Sequence, residues 1–292
     1  MNPITKAIAL EMLPSSEILS TQDLLKRSQK SDYIVRLLWN ALPYSHYGYG
    51  IYHAARLAKL LKLPAISVIE FGVAGGNGLV AMEEHAKVIQ KLTKVKIQIY
   101  GFDTGQGMTP PADYRDMPYR FAPGNYKMDI PKLRARLKKA KLVLGDIKDT
   151  AASFFETYKP APIGFASFDM DYYSSTMHAF RLFADGLNDD FFLPRIQCYF
   201  DDIIGHEISS YNDFVGELAA IRDFNHASQH VKVAESRVFR KYAVNFEWYH
   251  QFYVMHRFTH KLYNTYISSA KPSSLALTKK KKKKKKKNSA AV

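Results

Sequence analysis

Cysteine is almost missing from this chain. The single residue, Cys198, leaves no internal disulfide framework and no Cys-rich zinc site. Long apolar runs are missing too, none reaching the roughly 18–20 residues that span a bilayer. Met1 to Leu13 carries Lys6 and a short apolar stretch broken by Glu11, which is no secretory h-region. These absences set the expectation of a soluble, cytoplasmic protein. There is no internal repeat, no G-x-G-x-x-G fingerprint and no P-loop lysine, so pyrophosphate cradling is not expected. A basic body is missing as well. The net charge is +15, but Lys279 to Lys287 are nine consecutive lysines, and +6 remains without them.

What is present supports a sizeable core, with 47% hydrophobic and 13% aromatic residues. Residues 1–65 read as a helical cap, with Tyr52 to Leu63 at helical spacing and Pro64 as its stop. From Ser67 short apolar runs alternate with helix-length segments. Strands are expected at residues 67–73, 96–102, 142–144, 163–168 and 196–200. Helices are expected at 78–91, 130–139, 150–158, 176–183 and 211–224. Such alternation predicts an α/β domain over residues 66–266 with a mainly parallel sheet and helices on both faces. Two late strands, 231–234 and 246–254, are expected to pair antiparallel at one edge. The aromatic segment 246–258 fits core packing or a homo-oligomer interface. Residues 267–292 read as a linker and a lysine tail that would contact nucleic acid or anionic lipid only nonspecifically.

Three strand ends describe a nucleoside pocket. Residues 70–78 (EFGVAGGNG) turn from strand to helix, and glycine there admits a ligand close to the backbone. Asp103 ends the next strand, where a carboxylate accepts from ribose hydroxyls. Asp146 follows the third strand, where it would accept from an exocyclic amine while Ile147 packs the ring. A tight turn and simple caps would also explain these residues. Residues 168–176 (FDMDYYSST) and 199–203 (YFDDI) then gather four carboxylates at neighbouring strand ends. Crowded acids repel, and a divalent cation relieves them; oxygen ligands suit Mg²⁺, Mn²⁺ or Ca²⁺. The candidate ligands are Asp169, Asp201 and Asp202. Asp171 is left as a general base or a support for the ligands, and His206 as a base or substrate contact; capping roles compete for Asp171 and Asp202. Tyr114, Tyr119 and Tyr126 lie in the long proline-bearing stretch 103–129, as an acceptor lid or as packing.

The 70–78 segment resembles the first motif of class I S-adenosylmethionine-dependent methyltransferases. Together with GFDTGQGM, FDMDYYSST and YFDDI it is similar to the macrocin and mycinamicin sugar O-methyltransferases (TylF-like), over roughly residues 66–205. The segment after Asp103 departs from that family's DSFEGLP-like pattern, Ile203 replaces the tyrosine of its Asp-Asp-Tyr, and residues 188–195 look like an insertion. The resemblance implies a Rossmann-like methyltransferase fold. It implies Glu70, Gly72 and Gly75 near the methionine part of S-adenosyl-L-methionine, Asp103 at the ribose, Asp146 at the adenine, and Asp169, Asp201 and Asp202 on magnesium. The expected reaction is O-methylation of a small hydroxylated acceptor, a sugar or glycosylated metabolite. A metal-independent methyltransferase, and a basic nucleic-acid or membrane-surface binding protein on the same scaffold, are the alternatives.

Overall fold

The computed structural model describes residues 15–28, 31–205, 207–242 and 244–268. His206 and the lysine tail lie outside them.

Three helices come first: α1 (Ser15–Arg27), α2 (Tyr33–Leu38) and α3 (Ser45–Leu60). The alternating body follows as β1 (Ala65–Phe71), α4 (Asn77–Thr93), β2 (Lys96–Asp103), α5 (Ile130–Arg136), β3 (Lys141–Leu144), α6 (Ile147–Tyr158), β4 (Ile163–Phe168), α7 (Tyr173–Phe180), β5 (Phe192–Phe200), α8 (Gly216–Ala227), β6 (Val231–Glu235) and β7 (Phe252–Arg257). The seven strands form one sheet in the order β3-β2-β1-β4-β5-β7-β6. Pairing is parallel from β3 through β5, while β7 runs antiparallel between β5 and β6. This is the mainly parallel α/β sheet with an antiparallel edge that the strand pattern implied, in the Rossmann-like arrangement that the resemblance implied.

β1 and β4 are buried along almost their whole length, as parallel strands covered on both faces must be. Alternation splits β1 between two cores. Ile66 and Val68 face α3 and α4, and Ile69 and Phe71 face the layer of α6, α7 and α8. Helix α3 thus shares a core with β1 and α4, through Ile51, Ala54 and Ala58 against Ile66, Val68 and Met82. On the other face Phe71, Phe168 and Phe200 sit side by side on adjacent strands, with Phe168 stacked on Phe200 at 4.5 Å and 9°. Burying rings of this size contributes several kcal/mol, about 3–5 per ring lost to alanine.

Three expectations need correction. β5 begins at Phe192, so much of the apparent insertion 188–195 is strand and turn. The expected strand 246–254 is a 3₁₀ turn at Glu247–Tyr249 followed by β7. Trp248 and Tyr249 are adjacent and both buried, unlike the in-and-out alternation expected of a half-exposed edge strand, and a turn allows it. The helix expected from Tyr211 starts at Gly216, which frees Tyr211 to reach the strand ends.

On α3, His53 lies between Tyr49 and Tyr52, with ring centroids at 4.2 and 5.3 Å. Burial, aided by Arg56, lowers its pKa to about 4. Between that value and about 6.5 the unfolded chain binds the extra proton, so stability falls as pH drops through this window. His53→Leu is expected to gain about 1–2 kcal/mol on wild type between pH 7 and pH 5, read from urea midpoints at both values. A pH-independent difference would contradict the buried neutral imidazole.

Candidate functional site

β1 has β2 on one side and β4 on the other, so the chain reverses its winding direction there. In open parallel sheets that switch point is where ligands bind, beyond the carboxyl ends of the strands. Each site segment is set by one backbone bond past the end of a strand. Gly72 N–H donates to Phe102 O, Asp169 N–H to Phe71 O and Asp201 N–H to Phe168 O, all at 2.9 Å. A cavity of about 580 Å³ opens above them, within the roughly 300–1,000 Å³ usual for small-molecule sites.

The first side of the cavity is the loop after β1. Gly72 has φ +82°, and a Cβ there would stand 1.7 Å from the Asp169 carbonyl oxygen, so only glycine lets β1 and β4 meet this closely. Asp103 organises the loop. Its carboxylate accepts from the N–H groups of Val73 at 2.9 Å, Ala74 at 2.8 Å and Gly105 at 2.6 Å. It lines the cavity as well, and carboxylate oxygens with lone pairs to spare can still accept from a ligand. Asp146 lines the same cavity beside Ile147 and doubles as the N-cap of α6, accepting from Lys148 N–H at 2.9 Å.

Two residues expected near a ligand do not line the cavity. Glu70 follows Ile66 and Val68 in alternation, so it faces α3 and is sealed beneath the loop. Tyr47 O–H donates to its Oε1 at 2.9 Å, while its Oε2 is buried without a partner. Burial, with the charge of Asp169 next, holds its carboxyl well above the usual range. Gly75 is exposed and does not line the cavity; a Cβ there meets nothing within 4 Å.

The second side is acidic. Asp169, Asp201 and Asp202 each bring a carboxylate oxygen to within 4.8 Å of the others. Asp169 is ringed by protein yet open to the cavity. Burial, then Asp201, Asp171 and Asp103, push its carboxyl well above the usual range. Burial, then Asp171 and Glu217, do the same to Asp202; Asp201 is raised by burial and, more weakly, by Glu247. Tyr199 O–H donates to Asp201 at 2.9 Å. Asp171 has φ +58°, a conformation aspartate tolerates better than most residues, and its N–H donates to Asp202 Oδ2 at 2.8 Å. It lines the cavity without joining the three-acid group, and burial raises its carboxyl too. Three hard oxygen donors whose ionised forms repel fit a divalent cation such as Mg²⁺.

The 103–129 stretch, the candidate lid, borders the cavity through Met108, Pro110, Ala112 and Tyr126. Met108 and Asn125 bond across its base at 2.8 Å. Of the three lid tyrosines only Tyr126 lines the cavity; Tyr114 is exposed, and Tyr119 donates to Ser209 O at 3.0 Å. Sequence reasoning missed the clasp, Asp116. Fully buried, it accepts from Ala112 N–H at 2.7 Å, Ser174 N–H at 2.8 Å and Ser174 O–H at 2.7 Å, tying the lid to the start of α7. Glu217 was missed too, although its spacing with Ala220, Ile221 and Phe224 put a carboxylate on the apolar stripe of α8.

No family model matches the sequence, and no curated protein matches it. Solved structures do. CalS11, a calicheamicin methyltransferase, is 20% identical over 73% of this chain and 86% of its own, with a TM-score of 0.45. The O-methyltransferase NovP is 14% identical over 72% and 78%, with a TM-score of 0.43. An O-methyltransferase from Bacillus cereus, solved with SAH, is 12% identical over 84% and 91%, with a TM-score of 0.38.

The two glycines separate packing from ligand approach. Gly72→Ala is expected to abolish folding or lower the melting temperature sharply, because backbone faces the new Cβ. Gly75→Ala is expected to stay within about 0.5 kcal/mol of wild type. Thermal and urea unfolding of both variants checks this, and equal effects would contradict the loop geometry.

Proposed function

We propose that the chain is an S-adenosylmethionine-dependent O-methyltransferase that uses a divalent cation and methylates a small hydroxylated acceptor, a sugar or a glycosylated metabolite. One observation carries the reading: the three-acid group and the nucleoside-type strand ends open into one cavity.

The residues divide the work along the sheet. Asp103 and Asp146 lie on the β2 and β3 side, where they would accept from ribose hydroxyls and the adenine amine. Ile147 offers an apolar face to the base. Asp169, Asp201 and Asp202 lie on the β4 and β5 side and would hold the cation. Glu70 stays beneath the loop, where its unpartnered oxygen suits a nearby cationic centre better than an anion. When bound, the sulfonium cofactor supplies an electrophilic methyl group and the cation supplies Lewis acidity toward an acceptor hydroxyl.

The remaining demands fall on the chain itself. The acceptor oxygen must be aligned with the methyl group and the sulfur, and it must lose a proton. Asp171 lines the cavity beside the three acids, where its carboxylate would take up that proton. The 103–129 loop is tied to the start of α7 by Asp116, and its Tyr126 would offer a ring face to a sugar or an aromatic acceptor. Alignment of this kind is worth several kcal/mol of barrier, up to about 7–11 in well-oriented model reactions. The lysine run is read as a separate, nonspecific contact for anionic lipid or nucleic acid.

Calorimetry with S-adenosylhomocysteine and with Mn²⁺ tests the two ends separately. Wild type is expected to bind both. Asp103→Ala is expected to lose at least tenfold in S-adenosylhomocysteine affinity. Asp201→Asn is expected to keep that affinity and lose Mn²⁺. No binding of S-adenosylhomocysteine by wild type would sink the methyltransferase reading. Methylation indifferent to a chelator would leave only a metal-independent enzyme.

A further inference from the structure

Glu217 is an expensive residue where it stands. It is the second residue of α8, fully buried, and surrounded by acids instead of cations. One oxygen, Oε2, accepts from the backbone N–H of Asp202 at 3.2 Å; the other, Oε1, is buried with no partner. Burial, then the charges of Asp169, Asp201 and Asp171, hold its carboxyl well above the usual range. A buried carboxyl with half its hydrogen-bonding capacity unused is destabilising, and a leucine would fill the same stripe beside Ala220, Ile221 and Phe224 at no such cost. The side chain is therefore explained by what its used oxygen touches.

That contact falls on the turn that presents two of the three candidate ligands. Asp202 is held at three points. Its N–H is on Glu217, its Oδ2 accepts from Asp171 N–H at 2.8 Å, and its Oδ1 lies 3.5 Å from the Tyr211 hydroxyl. Helix α8 is itself fixed to the site from the same end. Gly216 has φ +56°, and a Cβ there would lie 3.2 Å from the Asp171 carbonyl oxygen. The start of α8 thus packs directly under both acidic turns.

We propose that Glu217 is a positioning residue of the cation site: by accepting from the Asp202 N–H it fixes the turn at Asp201 and Asp202, and so sets the affinity for a divalent cation without touching it. This rests on the cation reading given above. The required property is a hydrogen-bond acceptor at Oε2, not a negative charge. Glutamine, which matches the neutral acid in shape and keeps an acceptor oxygen, should therefore replace it, and leucine should not.

The test uses the full chain and Mn²⁺ as the probe, followed by calorimetry and by the electron paramagnetic resonance signal of free ion. S-adenosylhomocysteine binding is the control for the other end of the cavity. Glu217→Leu is expected to bind Mn²⁺ at least tenfold more weakly while binding S-adenosylhomocysteine as wild type does. Glu217→Gln is expected to stay within about threefold of wild type for both. Unchanged Mn²⁺ affinity in Glu217→Leu would overturn the proposal. So would a Glu217→Gln protein as weak as Glu217→Leu, since the charge and not the acceptor would then matter. If Glu217→Leu does not fold, Glu217→Gln decides alone, retained affinity supporting the role and lost affinity overturning it. Wild type that binds S-adenosylhomocysteine but no Mn²⁺ would defeat the cation reading and this role with it, leaving the methyltransferase reading intact.

Discussion

The structure depends on one constraint, a crowd of carboxylates that are buried and set against one another. Asp169, Asp171, Asp201 and Asp202 crowd one rim, with Glu70 and Glu217 buried beneath it, and each carboxyl is pushed above its usual range. Such a cluster works against folding, so the frame that holds it must be stiff. The frame is a parallel sheet whose central strands are buried on both faces and whose aromatic rings stack across three strands directly below the site. It imposes the convergence that the acids resist, and a divalent cation is the ligand that would relieve it.

The same frame separates two chemistries. Asp146 follows β3 and Asp169 follows β4, three strand spacings apart, which is about 14 Å at roughly 4.8 Å per strand. That gap is wide enough for a nucleoside to lie along the strand ends between them. Although the whole chain carries +15, the only lysine or arginine lining the cavity among the described residues is Lys148, and it pairs with Asp146 at 3.8 Å. Charge at the site is thus opposite in sign to charge overall.

Much of this was legible in the sequence, because strand-end acids and turn glycines sit at fixed offsets from apolar runs. The sheet, the β1 loop, Asp103, Asp146 and the three-acid group could all be read that way. What escaped was set by tertiary packing. Asp116 is a buried clasp inside a loop with no periodicity to mark it. The two late aromatics Trp248 and Tyr249 are buried side by side, which a turn permits and a sequence pattern does not announce. The inward aim of Glu70 and the burial of Glu217 were passed over for a shared reason: each is an acid at a position whose periodic partners, Ile66 and Val68 or Ala220, Ile221 and Phe224, are all core residues. Such an acid points inward, and asking why would have found both.

Anomalous diffraction at the manganese edge, from crystals grown with Mn²⁺ and S-adenosylhomocysteine, bears on the whole arrangement at once. The expected result is a single strong peak among the carboxylates of Asp169, Asp201 and Asp202, with the adenosine lying toward Asp103 and Asp146. A nucleoside bound elsewhere, or the three carboxylates turned apart with no peak between them, would contradict it.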